Sequence, residues 1–145
     1  MGKKQAENVA KKLKGEKLDV IFVSDFLRTR QTAEIVNKFH NVPIVEELKV
    51  SEFKSGFEGH NVSEYRMAAK HDVFDFKLKG KESWNDVKKR VNNFIEHLKN
   101  NNYENVLVVS HGEIVQIAVG ILRGLSDEET RKIVPDNCDI FEFDI

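Results

Sequence analysis

The sequence predicts an α/β protein: a three-layer sandwich with a mostly parallel sheet and helices on both of its faces. Two short apolar segments, 19–23 and 105–110, have the length and the β-branched content of buried strands. Helical patterns alternate with the strand segments along the chain, and this alternation is typical of β-α units and of a parallel sheet. With 145 residues, we expect residues 1–145 to form one domain.

The first part of the chain alternates helical and strand patterns. Apolar residues recur at helical spacing in the first segment: Ala6, Val9, Ala10 and Leu13. This spacing predicts a helix that ends near Gly15. The strand over 19–23 precedes a helix over about 27–39, and a short strand follows over 43–45.

The pattern weakens over 46–81, where we expect one short helix around 63–70. Ser83 then begins a strong helix, because Asp86 stands at capping-box spacing and an apolar stripe follows. The remaining predicted elements are a strand over 105–110, a helix over 114–122, a short helix from about Asp127 and a last strand over 140–143.

Composition narrows the class of protein. The net charge of −1 gives no reason to expect nucleic acid or an anionic membrane as a partner. One cysteine, Cys138, cannot form an internal disulfide, and we expect a soluble, cytoplasmic protein. No cluster of His, Cys or Asp has the spacing of metal ligands, so we expect neither a metal site nor a cofactor.

Ser110-His111-Gly112 lies where a predicted strand runs into a predicted helix. A helix N-terminus presents free backbone N–H groups and a partial positive charge, which suit a phosphate. From the sequence alone, His111 could donate a hydrogen bond to a phosphoryl group, attack it, or be an ordinary loop residue.

A second strand-to-helix corner carries Arg28 in the first turn of its helix. The helix dipole disfavours a cation there, so an arginine at this point suggests an anionic ligand, and a guanidinium suits bidentate phosphate binding. Ligands of such sheets bind beyond the C-terminal ends of the strands. We therefore expect Arg28 and His111 to share one cleft.

Five motifs together resemble the histidine phosphatase superfamily, the phosphoglycerate mutase-like enzymes. They are Gly2-Lys-Lys-Gln-Ala6, Arg28-Thr-Arg-Gln-Thr-Ala33, Gly56-Phe-Glu-Gly59, Glu82-Ser83 with Asp86 and Arg90, and Ser110-His-Gly112. Their order along the chain is that of the family. The resemblance implies a phosphomonoester phosphatase that acts on a phosphorylated small molecule, with mutase activity less expected than hydrolysis.

The resemblance also implies residue roles. Arg28 would clamp the phosphoryl oxygens, His111 would be the second histidine that holds them, and the Gly112 N–H would be a further donor. An acid protonates the leaving oxygen in this family, and we assign that role to Glu52. The family spacing is distorted here, so Glu47 and Glu58 stay open as alternatives.

The family's nucleophile is a histidine in an Arg-His-Gly loop, and Arg-His-Gly does not occur in this sequence. The resemblance starts at Gly2, so the first strand of the family fold would lie upstream and its neighbours would expose an open sheet edge. We expect an N-terminally truncated chain that is inactive alone. The alternatives are a partner chain or a second copy at the open sheet, and a non-catalytic phosphate-binding or interaction module. The other histidines are expected at the surface: His40, His60, His71 and His97.

Overall fold

A computed structural model describes residues 2–145 and contains a parallel three-stranded sheet. Its strands are β1 (Val20–Val23), β2 (Ile44–Glu46) and β3 (Val106–Val109), in the spatial order β2-β1-β3. Both neighbours of β1 run parallel to it. The predicted α/β class with a parallel sheet is confirmed.

Residues 2–145 also contain six α-helices. They are α1 (Gly2–Leu13), α2 (Leu27–Asn37), α3 (Val62–Ala69), α4 (Trp84–Lys99), α5 (Gly112–Arg123) and α6 (Asp127–Arg131). The predicted capping box at Ser83 is present, because its side chain accepts the Asp86 N–H and the Asp86 carboxylate accepts the Ser83 N–H. Gly124, with φ of 67°, ends α5 in the left-handed conformation that glycine tolerates. None of the helices in residues 2–145 is long and apolar enough to cross a bilayer.

The two faces of the sheet bury different side chains, because alternate residues of a strand point to opposite faces. Val20 and Phe22 pack with α4 and α5, in a core that includes Trp84, Val87, Val91, Phe94, Ile114 and Ile117. Ile21 and Val23 pack on the other face against Ala33 of α2, and α1 covers α2 and Leu107 through Val9 and Ala10. The predicted three layers are therefore present.

The strands differ in burial. All four residues of β1 are buried, whereas all four residues of β3 are only half-buried. Within the described residues β3 pairs with β1 alone, so its other edge is open. The resemblance to the family implies a further strand beside this sheet, and the edge of β3 is where such a strand would pair.

The predicted last strand over 140–143 is wrong, since residues 132–145 contain no strand. The rings of Phe141 and Phe143 instead lie 5.9 and 5.8 Å from the guanidinium carbon of Arg123, at the end of α5. A strand requires a neighbouring strand to satisfy its backbone groups, and this segment has none.

Helix α6 packs closely on α5 at a glycine. A Cβ built on Gly120 would lie 2.8 Å from the Cβ of Thr130, closer than such atoms approach in proteins. The side-chain amide of Gln116 also donates to the carbonyl oxygens of Arg131 (3.2 Å) and Ile133 (2.7 Å). The absence of a side chain at Gly120 thus sets how near α6 lies to α5.

Candidate active site

The two predicted corners meet at the carboxyl ends of β1 and β3. Ser24 follows β1, and His111 lies between β3 and α5 as the N-cap residue of that helix. Because the strands are adjacent and parallel, their ends reach the same edge of the sheet. His111 Nε2 lies 2.8 Å from Ser24 Oγ, and both residues are buried.

Arg28 joins the corners. Its Nη2 donates to His111 Nδ1 at 3.0 Å and to Glu52 Oε1 at 3.2 Å. The Phe26 ring lies beneath both groups, 5.0 Å from the guanidinium carbon and edge-on to the His111 imidazole at 4.9 Å. Phe26 thus supports two of the predicted site residues, and the sequence analysis did not single it out.

The hydrogen bonds define the neutral tautomer of His111. A guanidinium is only a donor, so Nδ1 accepts from Arg28, and Nε2 carries the proton and donates to Ser24 Oγ. The Ser24 hydroxyl can then donate to Thr29 Oγ1 (2.9 Å), which donates to the Phe26 carbonyl oxygen (2.8 Å). Each nitrogen and oxygen in this series of hydrogen bonds, from Arg28 Nη2 to the Phe26 carbonyl, therefore has a partner.

Burial lowers the pKa of His111 below its usual value of 6.5, because a buried imidazolium loses solvation. The Glu52 carboxylate opposes that shift, and the Arg28 charge adds to it. His111 is therefore neutral at neutral pH, in agreement with its role as an acceptor from Arg28.

Glu52 lies in a loop that is bound to both corners. Ser51 Oγ donates to Asp25 Oδ1 after β1, and Ser110 Oγ donates to the Val50 carbonyl after β3, each at 2.6 Å. The Ser51 hydrogen bond is the main reason why the pKa of Asp25 is lowered. The two residues that precede Glu52 are thus fixed to the two strand ends.

Arg90 of α4 fixes the same loop from a third direction. Its guanidinium donates to both carboxylate oxygens of Glu82, at 2.7 and 3.1 Å, and both side chains are largely buried. It also donates to the carbonyls of Lys49 (2.7 Å) and Glu52 (3.2 Å). The predicted Glu82–Arg90 motif therefore holds the backbone of Glu52.

The other two candidate acids lie outside this arrangement. The Glu47 carboxylate accepts the Lys49 N–H at 3.0 Å and caps the 3₁₀ turn Leu48–Val50. The Glu58 carboxylate accepts the Gly56 N–H at 3.2 Å. Of the three candidates, Glu52 is the one whose carboxylate contacts Arg28.

Gly112 and Glu113 form the first turn of α5. Gly112 is exposed, and its N–H is among those that a helix start leaves without an intrahelical acceptor. Glu113 reaches water, yet the surrounding protein and the nearby Glu52 carboxylate raise the pKa of its carboxyl group. The sequence analysis did not single out Glu113, although its place beside His111 is visible in the motif.

The remaining histidines lie elsewhere. His60 pairs with Glu64 at 2.7 Å, His97 contacts Asn101 at 3.1 Å, and His71 is exposed. His40 differs from the predicted surface position, because it is half-buried and its Nε2 has no partner within residues 2–145. Those residues also contain no group of three potential metal ligands.

A parallel α/β sheet with an arginine and a histidine at adjacent strand ends is typical of α/β proteins that bind phosphate groups at that edge. The chain belongs to the histidine phosphatase superfamily (branch 1), whose family model matches residues 1–145. The resemblance seen in the sequence is thereby confirmed.

Individual relatives and solved structures support this family assignment. The chain is 30% identical to a candidate phosphoserine phosphatase of Hydrogenobacter thermophilus, over 98% of this chain and 74% of that protein. The α-ribazole phosphatase of Shigella flexneri has a similar fold, with a TM-score of 0.81 at 21% identity over 94% of this chain and 72% of that one. A mycobacterial glucosyl-3-phosphoglycerate phosphatase, whose structure was solved with VO3, has a TM-score of 0.74 at 18% identity. The match covers 90% of this chain and 70% of that one.

Proposed function

We propose that this chain binds the phosphoryl group of a phosphomonoester between Arg28 and His111 and serves in its hydrolysis. The observation that carries the proposal is the convergence of three groups: Arg28 Nη2 contacts both His111 Nδ1 and Glu52 Oε1. A cation, an imidazole and a carboxylate at one point supply charge stabilisation and proton transfer, which phosphoryl transfer requires. The phosphatases among its relatives support a phosphorylated small molecule as substrate.

Arg28 and His111 hold the phosphoryl oxygens in this proposal, and the Gly112 N–H is a further donor. Glu52 protonates the leaving oxygen. His111 donates through Nδ1 only after that nitrogen gains a proton, since Nε2–H already donates to Ser24. Proton uptake ends the Arg28–His111 hydrogen bond, and both groups then face an oxyanion placed between them.

Binding is therefore linked to protonation of His111. The pKa of His111 is lowered in the free protein, and a bound anion raises it. We expect sulfate to bind more tightly as the pH falls toward 6.5 and below, and the His111→Gln variant to lose most of that dependence. Sulfate suits this measurement because it stays a monomeric dianion over the range, whereas tungstate condenses into polyanions in weakly acidic solution.

The nucleophile is the part of the reaction that these residues do not supply. The sequence contains no Arg-His-Gly, and His111 is the one histidine at the site within residues 2–145. We propose that the chain alone is inactive and N-terminally truncated, and that a strand outside these residues provides the attacking histidine. Loss of a nucleophile lowers kcat by about 10⁶ in a serine protease, so residual turnover would be negligible.

A tungstate titration followed by calorimetry tests the phosphate site. We expect Arg28→Gln to raise the Kd by about tenfold to a hundredfold, because one charge-assisted interaction is lost. Arg30→Gln is the matched control, since Arg30 lies on the same helix and takes no part in the hydrogen bonds that join Arg28 to Glu52 and His111. Equal affinities of the two variants would refute the site.

The alternative is a non-catalytic phosphate-binding module, and the single histidine at the site favours it. Added imidazole separates the two functions. In an incomplete hydrolase, an imidazole nitrogen attacks the phosphorus of p-nitrophenyl phosphate, p-nitrophenolate leaves, and water then cleaves the phosphoimidazole. Release of p-nitrophenol that rises with imidazole and disappears in Arg28→Gln supports the hydrolase. Tungstate binding without such release supports the binding module.

The open edge of β3 also supports association. As the alternative to an upstream strand of the same protein, we propose that a strand of a partner chain, or of a second copy, pairs with Val106–Val109. Sedimentation of the purified chain as a monomer at every concentration would exclude the second copy. The single cysteine supports a cytoplasmic location as part of the same proposal.

A further inference from the structure

The Arg28 side chain is 62% exposed, yet three groups contact its guanidinium. Nη2 donates to Glu52 Oε1 and to His111 Nδ1. The guanidinium carbon also lies 5.0 Å from the centroid of the Phe26 ring. An exposed arginine that rotates freely loses side-chain entropy when it binds a ligand. The contacts that hold Arg28 before binding therefore affect its affinity for an anion.

The three contacts differ in what an incoming oxyanion does to them. Glu52 and His111 both accept from Nη2, so an oxyanion that accepts from the same nitrogen competes with them. An aromatic ring attracts a guanidinium through its electron-rich face and occupies none of its N–H donors. Of the three contacts, the one with Phe26 is thus compatible with a bound anion.

The Phe26 ring is itself held in place. The backbone N–H of Phe26 donates to Ser24 Oγ at 3.4 Å, and its carbonyl accepts from Thr29 Oγ1 at 2.8 Å. The ring lies edge-on to the His111 imidazole, with the ring centroids 4.9 Å apart. Because Ser24, Thr29 and His111 are all buried, the guanidinium stacks on a ring with fixed surroundings.

The beginning of α2 departs from two rules of helix stability at nearby positions. Phe26 is the N-cap residue, and its side chain cannot accept the helix N–H groups that a serine or an aspartate would accept. Arg28 follows in the first turn, where the helix dipole disfavours a cation and no acidic residue is present. Such local departures are expected where residues serve function rather than stability. Here they bring an aromatic ring and a cation together.

We propose that Phe26 is a positioning residue of the phosphate site. Its ring holds the Arg28 guanidinium beside His111 before the anion arrives, and keeps holding it when the anion replaces Glu52 and His111 on Nη2. The arginine clamp is thus preorganised by an aromatic ring. This inference rests on the proposed function.

Calorimetric titration with tungstate in weakly alkaline solution tests the inference in the variant Phe26→Leu, which keeps an apolar side chain and removes the ring. We expect the Kd to rise about threefold to tenfold, because the cation–π contact and the preorganisation of Arg28 are both lost. Phe26→Tyr retains an aromatic ring, and we expect it to keep the affinity of the natural sequence.

Phe39→Leu is the matched control. The Phe39 ring also lies beneath a cation, with Lys14 Nζ 5.2 Å from its centroid, but Phe39 follows the other end of α2. We expect this variant to bind tungstate as the natural sequence does. Circular dichroism establishes that each variant is folded, and Phe26→Met takes the place of Phe26→Leu if the latter unfolds.

A double-mutant cycle with Arg28→Gln separates positioning from a general structural role. If Phe26 acts through Arg28, then Phe26→Leu weakens tungstate binding in the natural sequence and has no effect in the Arg28→Gln background. A ring that only supports the fold would weaken binding by the same factor in both backgrounds.

The failures are distinguishable. Equal Kd values for Phe26→Leu and Phe39→Leu, or equal losses in the two backgrounds of the cycle, overturn the inference and leave the phosphate site intact. If Arg28→Gln does not weaken tungstate binding, the proposed function itself fails.

Discussion

The corner after β1 and the corner after β3 each begin with a serine directly after an apolar strand, but the two corners differ in their surroundings. Within residues 2–145, β1 has strands on both sides and is wholly buried, whereas β3 pairs with β1 alone and is half-exposed. His111 nevertheless is only 7% exposed. Ser24, Phe26 and Arg28 from the first corner enclose it. The orientation of the site histidine therefore depends on the interior corner more than on its own strand.

The largest expected effect is a loss of free energy of unfolding when a strand side chain is truncated, and this loss can be compared between β1 and β3. Ile21 and Leu107 are paired in register on the same face, but Ile21 is fully buried and Leu107 is half-buried. We expect Ile21→Ala to lower the free energy of unfolding by about 3–4 kcal/mol and Leu107→Ala by about 1–2 kcal/mol. Urea denaturation measures both. Equal losses would mean that β3 is covered in solution, for example by another strand.

The next largest loss of stability is expected when the loop that contains Glu52 loses its contact with Arg90. Arg90→Ala leaves Glu82 without its guanidinium partner, and we expect a loss of about 2–3 kcal/mol in the free energy of unfolding. Lys77→Ala is the control, because the exposed Lys77–Asp86 pair near the same end of α4 contributes about 0.5 kcal/mol or less. A similar small loss for both variants would show that Arg90 does not hold the loop.

Ser24→Ala tests the dependence of His111 on the first corner. The substitution leaves the buried His111 Nε2–H without its acceptor, and we expect a loss of about 1–2 kcal/mol. A double-mutant cycle with His111→Ala isolates the interaction between the two side chains. Additive losses would contradict the hydrogen bond as an energetic link between the corners.

The smallest expected effect is a pH dependence of stability. The pKa of His111 is lowered on folding, so the unfolded chain binds its proton more tightly than the folded chain does. His111 therefore stabilises the fold fully above its ordinary value of 6.5 and loses this contribution as the pH falls toward the folded value. Urea unfolding at about pH 7.5 and about pH 5.5 measures it. The His111→Gln variant should lose less stability on acidification than the natural sequence, and an identical loss would refute the assignment.

The sequence predicted the helices and the three strands well, because their periodicities reflect burial directly. It also predicted that Arg28 and His111 meet, since the ends of parallel strands share one edge. The prediction of a last strand over 140–143 was wrong, because an alternating apolar pattern shows only which residues are apolar. It does not show whether a neighbouring strand is there to pair with.

The choice among the three candidate acids depended on contacts that sequence spacing does not encode. Arg90 lies 38 residues from Glu52 and reaches its carbonyl from another helix. Phe26 supports the site through ring geometry, which follows from tertiary packing. The assignment of Glu52 as the acid stays a prediction, although the structure brings its carboxylate to Arg28.

Gly120 is a position at which a substitution would change the packing of α6 on α5. Because no side chain fits between it and Thr130, Gly120→Ala would displace α6, and with it Arg131, which lines a cavity together with Arg66 and Lys70. The width of this cavity would thus change without any change in the charges that line it. A library varied jointly at Gly120 and Thr130 would sample positions of α6 at constant charge.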